Sequence, residues 1–255
     1  MTGQQPLLEV DDRWGKRRLA FLRREARAGA GDRRPGLFWM SGFNSVITSS
    51  KATALDEWAE REGRALTRFD YSGHGQSDGT LADGCIGQWL ADARAAFDQL
   101  TAGPQIVVGS SMGGYLALLL ALAKPGRLAG MVLIAPAWNM TERLMWEEMP
   151  AQTREILARE GVWMRPSAYG EPYPITKKLI DEGREHLIDI YDLAVGCPLR
   201  ILHGSKDADV PCKGSVELMN AQGNVNSRMI VIPDGDHRLA REQDIARLIE
   251  IIEEL

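Results

Sequence analysis

A serine at position 111 lies in a run of small residues that suits nucleophilic chemistry. The run from Val107 to Gly114 contains the pattern G-x-S-x-G, with β-branched residues before it and the apolar stretch Tyr115–Ala123 after it. This order predicts a strand, a tight turn and a buried helix, which present the serine hydroxyl at the end of a sheet and at a helix N-terminus. Ser111 is therefore the predicted nucleophile of an acyl-transfer site. The alternative is an ordinary strand-to-helix turn with a capping serine.

A serine nucleophile needs a histidine that accepts its proton and a carboxylate that orients the histidine. His237 is the predicted base, because it follows the last apolar strand in a turn-rich loop before the final helix. The loop after the preceding strand offers two acids, Asp207 and Asp209. We favour Asp207 as the acid and assign Asp209 to ordering the loop.

The other three of the four histidines have structural interpretations. His74 lies in a turn after an early strand, and His186 lies in a polar helical stretch near the surface. His203 ends an apolar strand, where packing and hydrogen bonding explain it. The histidines show no zinc-binding spacing, so we expect no metal.

Two backbone N–H groups are predicted to bind the oxyanion that forms when the serine attacks a carbonyl. The first belongs to Met112, directly after the nucleophile. The second belongs to the loop after the early strand that ends at Met40. Phe43 is the favoured donor in this loop, and Asn44 is the weaker alternative.

Short apolar strands alternate with amphipathic helices along the chain, which predicts an α/β domain with a mostly parallel, doubly wound sheet. The predicted strands are Leu19–Leu22, Gly36–Met40, Arg64–Phe69, Gln105–Val108, Gly130–Ala135, Leu199–His203 and Arg228–Ile232. The predicted helices are Lys51–Glu62, Ile86–Leu100, Met112–Ala123, Val216–Asn220 and Ala240–Glu254. Residues 1–255 are expected to form a single domain of this kind.

The long interval between Pro136 and Leu199 breaks this alternation. A compact domain rarely contains so long a loop without structure of its own, so we predict a small helical cap, residues 138–195, inserted after the predicted strand that ends at Ala135, which is strand six of the expected fold. The cap is rich in tryptophan and methionine. These side chains either form an apolar roof over a substrate or serve as the core of the cap itself.

Composition and charge exclude several classes of function. The chain has 255 residues, 44% of them hydrophobic, and a formal net charge of −5, so no nucleic-acid partner is expected. Its apolar runs fall short of the roughly 20 residues that span a membrane, and its polar N-terminus lacks the apolar core of a signal peptide. Cys85, Cys197 and Cys212 are widely spaced, which argues against disulfides. We expect a cytoplasmic protein without a cofactor, and the sequence leaves its oligomeric state open.

The first 34 residues are locally basic, which raises the alternatives of a nucleic-acid patch and a targeting peptide. Acidic residues are interleaved with the basic ones, however, and Leu19–Leu22 is a predicted strand. A solvated edge hairpin whose charges protect the sheet edge is therefore the favoured interpretation.

Three motifs, in this order along the chain, resemble those of the α/β-hydrolase superfamily. They are the loop Ser41-Gly42-Phe43, the segment 68–79 and the His237 loop. A closer resemblance is to the alpha/beta hydrolase domain-containing protein 10 group, through segments 69–79, 51–54 and 203–211. The chain departs from the superfamily in having Ser41 where a histidine is typical, which a backbone role tolerates. It departs from the animal members of the group in showing no obvious mitochondrial targeting extension.

The resemblance implies a serine hydrolase that cleaves small acyl esters or thioesters, because the group includes palmitoyl-protein thioesterases and acyl-glucuronide esterases. It also implies Asp207 as the acid. C–C bond hydrolysis and aminopeptidase action on a small peptide are the alternatives on the same fold. A catalytically silent ligand-binding module is the alternative from another class, and the complete set of Ser111, Asp207 and His237 argues against it.

Overall fold

An eight-stranded sheet runs through the centre of the protein. The computed structural model describes residues 5–27, 34–167, 170–222 and 226–255. Its strands are β1 (Leu7–Asp12), β2 (Gly15–Arg24), β3 (Gly36–Met40), β4 (Leu66–Phe69), β5 (Gln105–Ser110), β6 (Leu128–Ile134), β7 (Val162–Arg165), β8 (Tyr173–Thr176), β9 (Leu199–Gly204) and β10 (Ser227–Ile232). The central sheet has the order β1-β2-β4-β3-β5-β6-β9-β10, and β7 and β8 form a separate hairpin.

The sheet is parallel from β4 to β10 and antiparallel at its β1–β2 edge. β4, β5 and β9 are buried along their whole length, as expected for parallel strands that are covered on both faces. The predicted mostly parallel, doubly wound sheet is confirmed. The edge hairpin is also present, although its first strand, β1, was not predicted because its second half is polar.

Seven α-helices surround the sheet within the described ranges. They are α1 (Ser50–Glu62), α2 (Ile86–Leu100), α3 (Met112–Ala123), α4 (Ala151–Glu160), α5 (Lys177–Gly183), α6 (Cys212–Gln222) and α7 (Glu242–Glu253). Helices α2 and α3 pack in the core on one face of the sheet, and α1 and α7 pack on the other. Alternate residues of β3 face the two cores: Phe38 and Met40 join the first, and Leu37 and Trp39 join the second.

The segment between β6 and β9 contains α4, α5, the β7–β8 hairpin and a π-helical turn at Thr141–Trp146. The hairpin is a feature that the prediction of a helical cap did not include. The two ends of the segment are joined at Asn139, whose side chain donates to the Ile188 carbonyl and accepts from the Ile188 N–H, both at 2.9 Å. The boundaries of the cap at 138–195 stay a prediction.

Two further observations concern the cysteines and the helices. All three cysteines are free thiols, and Cys85 and Cys197 are buried. No helix in the described part of the chain is both long enough and apolar enough to cross a membrane.

Candidate active site

Ser111 lies at the turn between β5 and α3 with strained backbone torsions, φ 55° and ψ −117°. The glycines of the motif are required by close contacts on either side of it. A Cβ atom on Gly109 would lie 2.4 Å from the Gly113 carbonyl oxygen, and one on Gly113 would lie 2.1 Å from the Met40 carbonyl oxygen. The Ser111 N–H donates to the Ile134 carbonyl at 2.8 Å. The strained turn is therefore held by its neighbours, as is common at functional sites.

His237 and Asp207 reach Ser111 from two other loops at the same end of the sheet. His237 follows β10, and its Nε2 lies 3.0 Å from the Ser111 Oγ. Its Nδ1 lies 2.8 Å from Oδ2 of Asp207, which follows β9. Because a carboxylate only accepts, Nδ1 carries the hydrogen and Nε2 is free to accept the serine proton. The structure thus brings the three predicted residues into one hydrogen-bonded chain.

Asp209 belongs to the loop that holds the acid. Its backbone N–H donates to Oδ1 of Asp207 at 2.9 Å, and the N–H of Val210 donates to the same oxygen at 2.8 Å. In these bonds the Asp207 carboxylate orders the loop, and the assignment of Asp209 to this task stays a prediction.

His203 contacts the acid, which its interpretation as a strand-end residue did not include. Its Nε2 lies 3.3 Å from Oδ2 of Asp207 and 2.9 Å from the Val210 carbonyl oxygen, and its Nδ1 lies 2.7 Å from the Ser215 Oγ. The carbonyl only accepts, so the hydrogen is on Nε2, beside the Asp207 oxygen. The sequence signal that could have predicted this contact is the position of His203 at the end of β9, four residues before the acid.

Burial and hydrogen bonding act in opposite directions on the pKa of Asp207. Its side chain is fully buried, and burial alone would raise the pKa. Hydrogen bonds from His203, His237 and the Val210 N–H outweigh burial, so the pKa of Asp207 lies well below its usual range. The acid is therefore a carboxylate at neutral pH, which is the form that stabilises a protonated imidazole.

The loop after β3 lies against the first turn of α3, where Gly113 meets the Met40 backbone. Outside the helix and strand ladders, no described residue accepts a hydrogen bond from the N–H of Phe43 or Met112. The N–H of Asn44 instead donates to His74 Nε2 at 3.1 Å. The Asn44 N–H is therefore already engaged, which favours Phe43 over this alternative. Phe43 and Met112 stay the predicted oxyanion donors.

A cavity of about 680 Å³ opens over Ser111 and His237. Apolar side chains of the main domain and the insertion line one part of it: Phe43, Leu81, Ala137, Met140, Leu144, Met145 and Val210. Polar side chains from the hairpin and the β9 loop line another: Arg165, Ser167, Glu171, Tyr173 and Asp209. Met140 and Met145 also belong to the buried core, and Trp146 and Trp163 pack against that core. These methionines therefore serve both the cavity wall and the core, whereas these two tryptophans serve the core.

Metal binding has one candidate group among the described residues, namely Asp207, Asp209 and His237. Two of its members already bond to each other through the atoms that would ligate an ion. The absence of a resident metal stays a prediction.

Comparisons with known proteins agree with this fold. Residues 34–180 match the profile of the serine aminopeptidase S33 family. The mitochondrial palmitoyl-protein thioesterase ABHD10 of Bos taurus is 36% identical over 225 residues, which cover 87% of this chain and 72% of the relative. A hydrolase from Agrobacterium vitis S4 has a TM-score of 0.91 and 36% identity, covering 98% of each chain. Mouse alpha/beta hydrolase domain-containing protein 10 has a TM-score of 0.85 and 32% identity, covering 98% of this chain and 97% of its own.

These matches and the architecture define the class, a serine hydrolase with the α/β-hydrolase fold. The protein is thus an enzyme in the class that cleaves carboxylic esters and thioesters. Within that class, the chain belongs to the family that includes alpha/beta hydrolase domain-containing protein 10. The resemblance noted in the sequence is confirmed.

Proposed function

We propose that the protein hydrolyses carboxylic esters or thioesters through a Ser111–His237–Asp207 triad and an acyl-enzyme intermediate. The observation that carries this proposal is the continuous hydrogen-bond chain across three loops. Its links are 3.0 Å from Ser111 Oγ to His237 Nε2 and 2.8 Å from His237 Nδ1 to Asp207 Oδ2. The tautomer that these contacts require is the one that general-base catalysis needs.

The first half of the reaction forms the acyl-enzyme. Ser111 Oγ attacks the acyl carbon while His237 Nε2 takes its proton, and Asp207 stabilises the resulting imidazolium. The carbonyl oxygen becomes an oxyanion that accepts hydrogen bonds from the N–H groups of Phe43 and Met112. A donor of this kind contributes about 3 kcal/mol to the transition state. The tetrahedral adduct then collapses, and the leaving group departs with the proton from His237.

The second half releases the acid. His237 takes a proton from a water molecule, whose oxygen attacks the acyl carbon bound to Ser111. Collapse returns the proton to the Ser111 Oγ and frees the carboxylic acid. A thiolate leaving group needs little protonation, so the same residues serve esters and thioesters.

The lining of the cavity supports an apolar acyl group. Met140, Leu144 and Met145 cover the reacting serine from the insertion, and methionine adapts to acyl chains of different shape. The named thioesterase activity of the bovine relative supports a thioester among the substrates. The polar part of the cavity, around Arg165 and Tyr173, is left for the leaving group.

The direct test is a substrate panel with purified wild-type protein and the Ser111→Ala variant. Chromogenic esters of increasing acyl length, acyl thioesters followed by thiol release, and an aminoacyl nitroanilide separate the esterase, thioesterase and aminopeptidase activities. We expect turnover of esters and thioesters that prefers apolar acyl groups, and a loss of about 10⁶-fold in Ser111→Ala. A folded wild-type protein that cleaves none of the esters and thioesters would contradict the proposal. A fluorophosphonate label that survives Ser111→Ala would contradict the choice of nucleophile.

A further inference from the structure

His74 lies beneath the loop that carries Phe43, and the reaction described above does not use it. It is 4% exposed. Three aromatic rings surround it at edge-on angles, with centroid distances of 6.2 Å to Phe43, 5.7 Å to Tyr71 and 5.4 Å to Trp89. These contacts leave the imidazole ring in one orientation.

The two ring nitrogens of His74 have different roles, and the hydrogen bonds assign them. Nδ1 lies 3.1 Å from the Ser72 carbonyl oxygen, which only accepts, so Nδ1 carries the hydrogen. Nε2 is then the acceptor for the Asn44 N–H at 3.1 Å. Burial lowers the pKa of His74 to about 4. The ring is therefore neutral, with a lone pair on Nε2, throughout the pH range in which a serine hydrolase works.

The loop after β3 is held at two points by the segment that follows β4. His74 holds the Asn44 N–H, and Oδ1 of Asp70 accepts from the Ile47 N–H at 2.8 Å. Asp70 is buried, and its Oδ2 accepts a hydrogen bond of 3.2 Å from the Gln76 N–H, in the same turn that contains His74. The peptide fixed by His74 directly follows Phe43. Its orientation therefore limits the direction in which the Phe43 N–H points.

We propose that His74 is a positioning residue for the oxyanion hole: by binding the Asn44 N–H, it orients the Phe43 N–H toward the reacting carbonyl oxygen. This inference rests on the proposed function, since it assigns a role only if Phe43 binds an oxyanion. An acceptor at this point keeps Asn44 from turning its own N–H into the site. A donor held in advance stabilises the transition state without reorganisation, whereas a loosely held loop loses part of that stabilisation.

The test compares two polar substitutions at this position. His74→Asn retains a donor for the Ser72 carbonyl but places no acceptor near Asn44. His74→Gln places an amide oxygen near the position of Nε2. We expect His74→Asn to lower kcat about 10- to 100-fold, which does not exceed the effect of removing a whole oxyanion donor. KM should stay within about twofold of the wild-type value. We expect His74→Gln to recover most of kcat.

A second measurement separates an effect on oxyanion binding from a general effect on the structure. An alkyl trifluoromethyl ketone forms a tetrahedral oxyanion with the serine, so its inhibition constant in His74→Asn should rise by the factor by which kcat/KM falls. His186→Leu is the matched control, since His186 is a partly buried histidine that bonds to Glu182 in the insertion at 2.8 Å. It should leave kcat and the inhibition constant unchanged.

The results that would overturn the inference are distinct from those that bear on the proposed function. Unchanged kcat and unchanged ketone inhibition in a folded His74→Asn protein would overturn it while wild-type esterase activity stands. A wild-type protein without esterase or thioesterase activity would count against the proposed function itself. If both His74 variants unfold, nitrogen NMR of histidine-labelled wild-type protein decides. A hydrogen on Nε2 of His74 overturns the inference, and a neutral ring with its hydrogen on Nδ1 at pH 6–8 supports it.

Discussion

The two sides of the cavity are built in different ways. The floor, at the end of the sheet, consists of close backbone contacts and buried hydrogen bonds, as at Gly113 and Asp207. The roof, in the insertion, consists of the side chains of Met140, Leu144 and Met145. Behind it, tryptophans pack under arginines, with Arg143 3.6 Å from the Trp138 ring and Arg154 4.8 Å from the Trp146 ring. We infer that the floor determines the reaction and the roof determines which acyl groups fit. Substitutions in the floor should therefore change kcat, and those in the roof should change substrate preference.

The largest expected effect is at the acid in the floor. Asp207→Asn removes the charge that stabilises the imidazolium and allows His237 to take the wrong tautomer. We expect kcat to fall about 10⁴-fold with little change in KM. Steady-state kinetics on one ester measure this. Asp209→Asn tests the alternative acid: a smaller loss is expected there, because His237 Nδ1 lies 2.8 Å from Asp207 Oδ2, and a comparable loss would move the role of acid to Asp209.

The next effect tests the close backbone packing in the floor. Gly113→Ala would place a Cβ atom 2.1 Å from the Met40 carbonyl oxygen, so either the turn or the oxyanion loop must move. We expect a loss of about 10²-fold or more in kcat, comparable to the loss of an oxyanion donor, and a lower melting temperature. Gly126→Ala is the matched control because its Cβ would meet nothing within 4 Å. Full activity in Gly113→Ala would show that the loop does not need its present position.

A third prediction concerns the pH dependence of the free energy of unfolding, which reports how completely His74 is buried in the floor. Burial lowers the pKa of His74 from the usual 6.5 to about 4. Between these values the unfolded chain binds a proton that the folded chain does not, so acidification favours unfolding. The free energy of unfolding should fall by up to about 1.4 kcal/mol per pH unit from this residue.

Urea unfolding at several pH values between 7 and 4.5 tests this prediction. The comparison of wild type with His74→Gln isolates His74 from other groups that titrate in the same range. The free energy of unfolding of the variant should fall less steeply with decreasing pH, by up to about 1.4 kcal/mol per pH unit. Equal slopes for the two proteins would mean that His74 titrates normally, and hence that it is not buried in a neutral form.

The smallest effect is expected in the roof. Met145→Ala enlarges the apolar part of the cavity over the serine. We expect about a fivefold change in the ratio of kcat/KM between long and short acyl esters, with kcat on the best ester nearly unchanged, since a methylene in such a pocket contributes at least about 1 kcal/mol. Met164→Ala is the control because Met164 is 51% exposed on the hairpin. Equal effects at both positions would contradict a direct role of the roof in acyl selection.

The sequence predicted the floor better than the roof, and the reason is physical. Ser111, Asp207 and His237 follow strands whose apolar, β-branched patterns are local signals, and parallel strands bring their carboxyl ends together. The hairpin of the insertion was missed because its strands have four residues each and are only partly buried. The contacts of His74 and His203 were missed because each depends on a partner that only the folded chain brings near. The cytoplasmic location and the absence of a cofactor stay predictions.

The central claim is that Ser111 carries the acyl group during turnover. Rapid quenching of wild-type protein with a slowly hydrolysed acyl ester, followed by peptide mass spectrometry, tests it most directly. We predict a mass increase equal to the acyl group on the peptide that contains Ser111, and its disappearance as hydrolysis proceeds. An acyl group on another residue, or turnover of the same ester by Ser111→Ala at an undiminished rate, would contradict the claim.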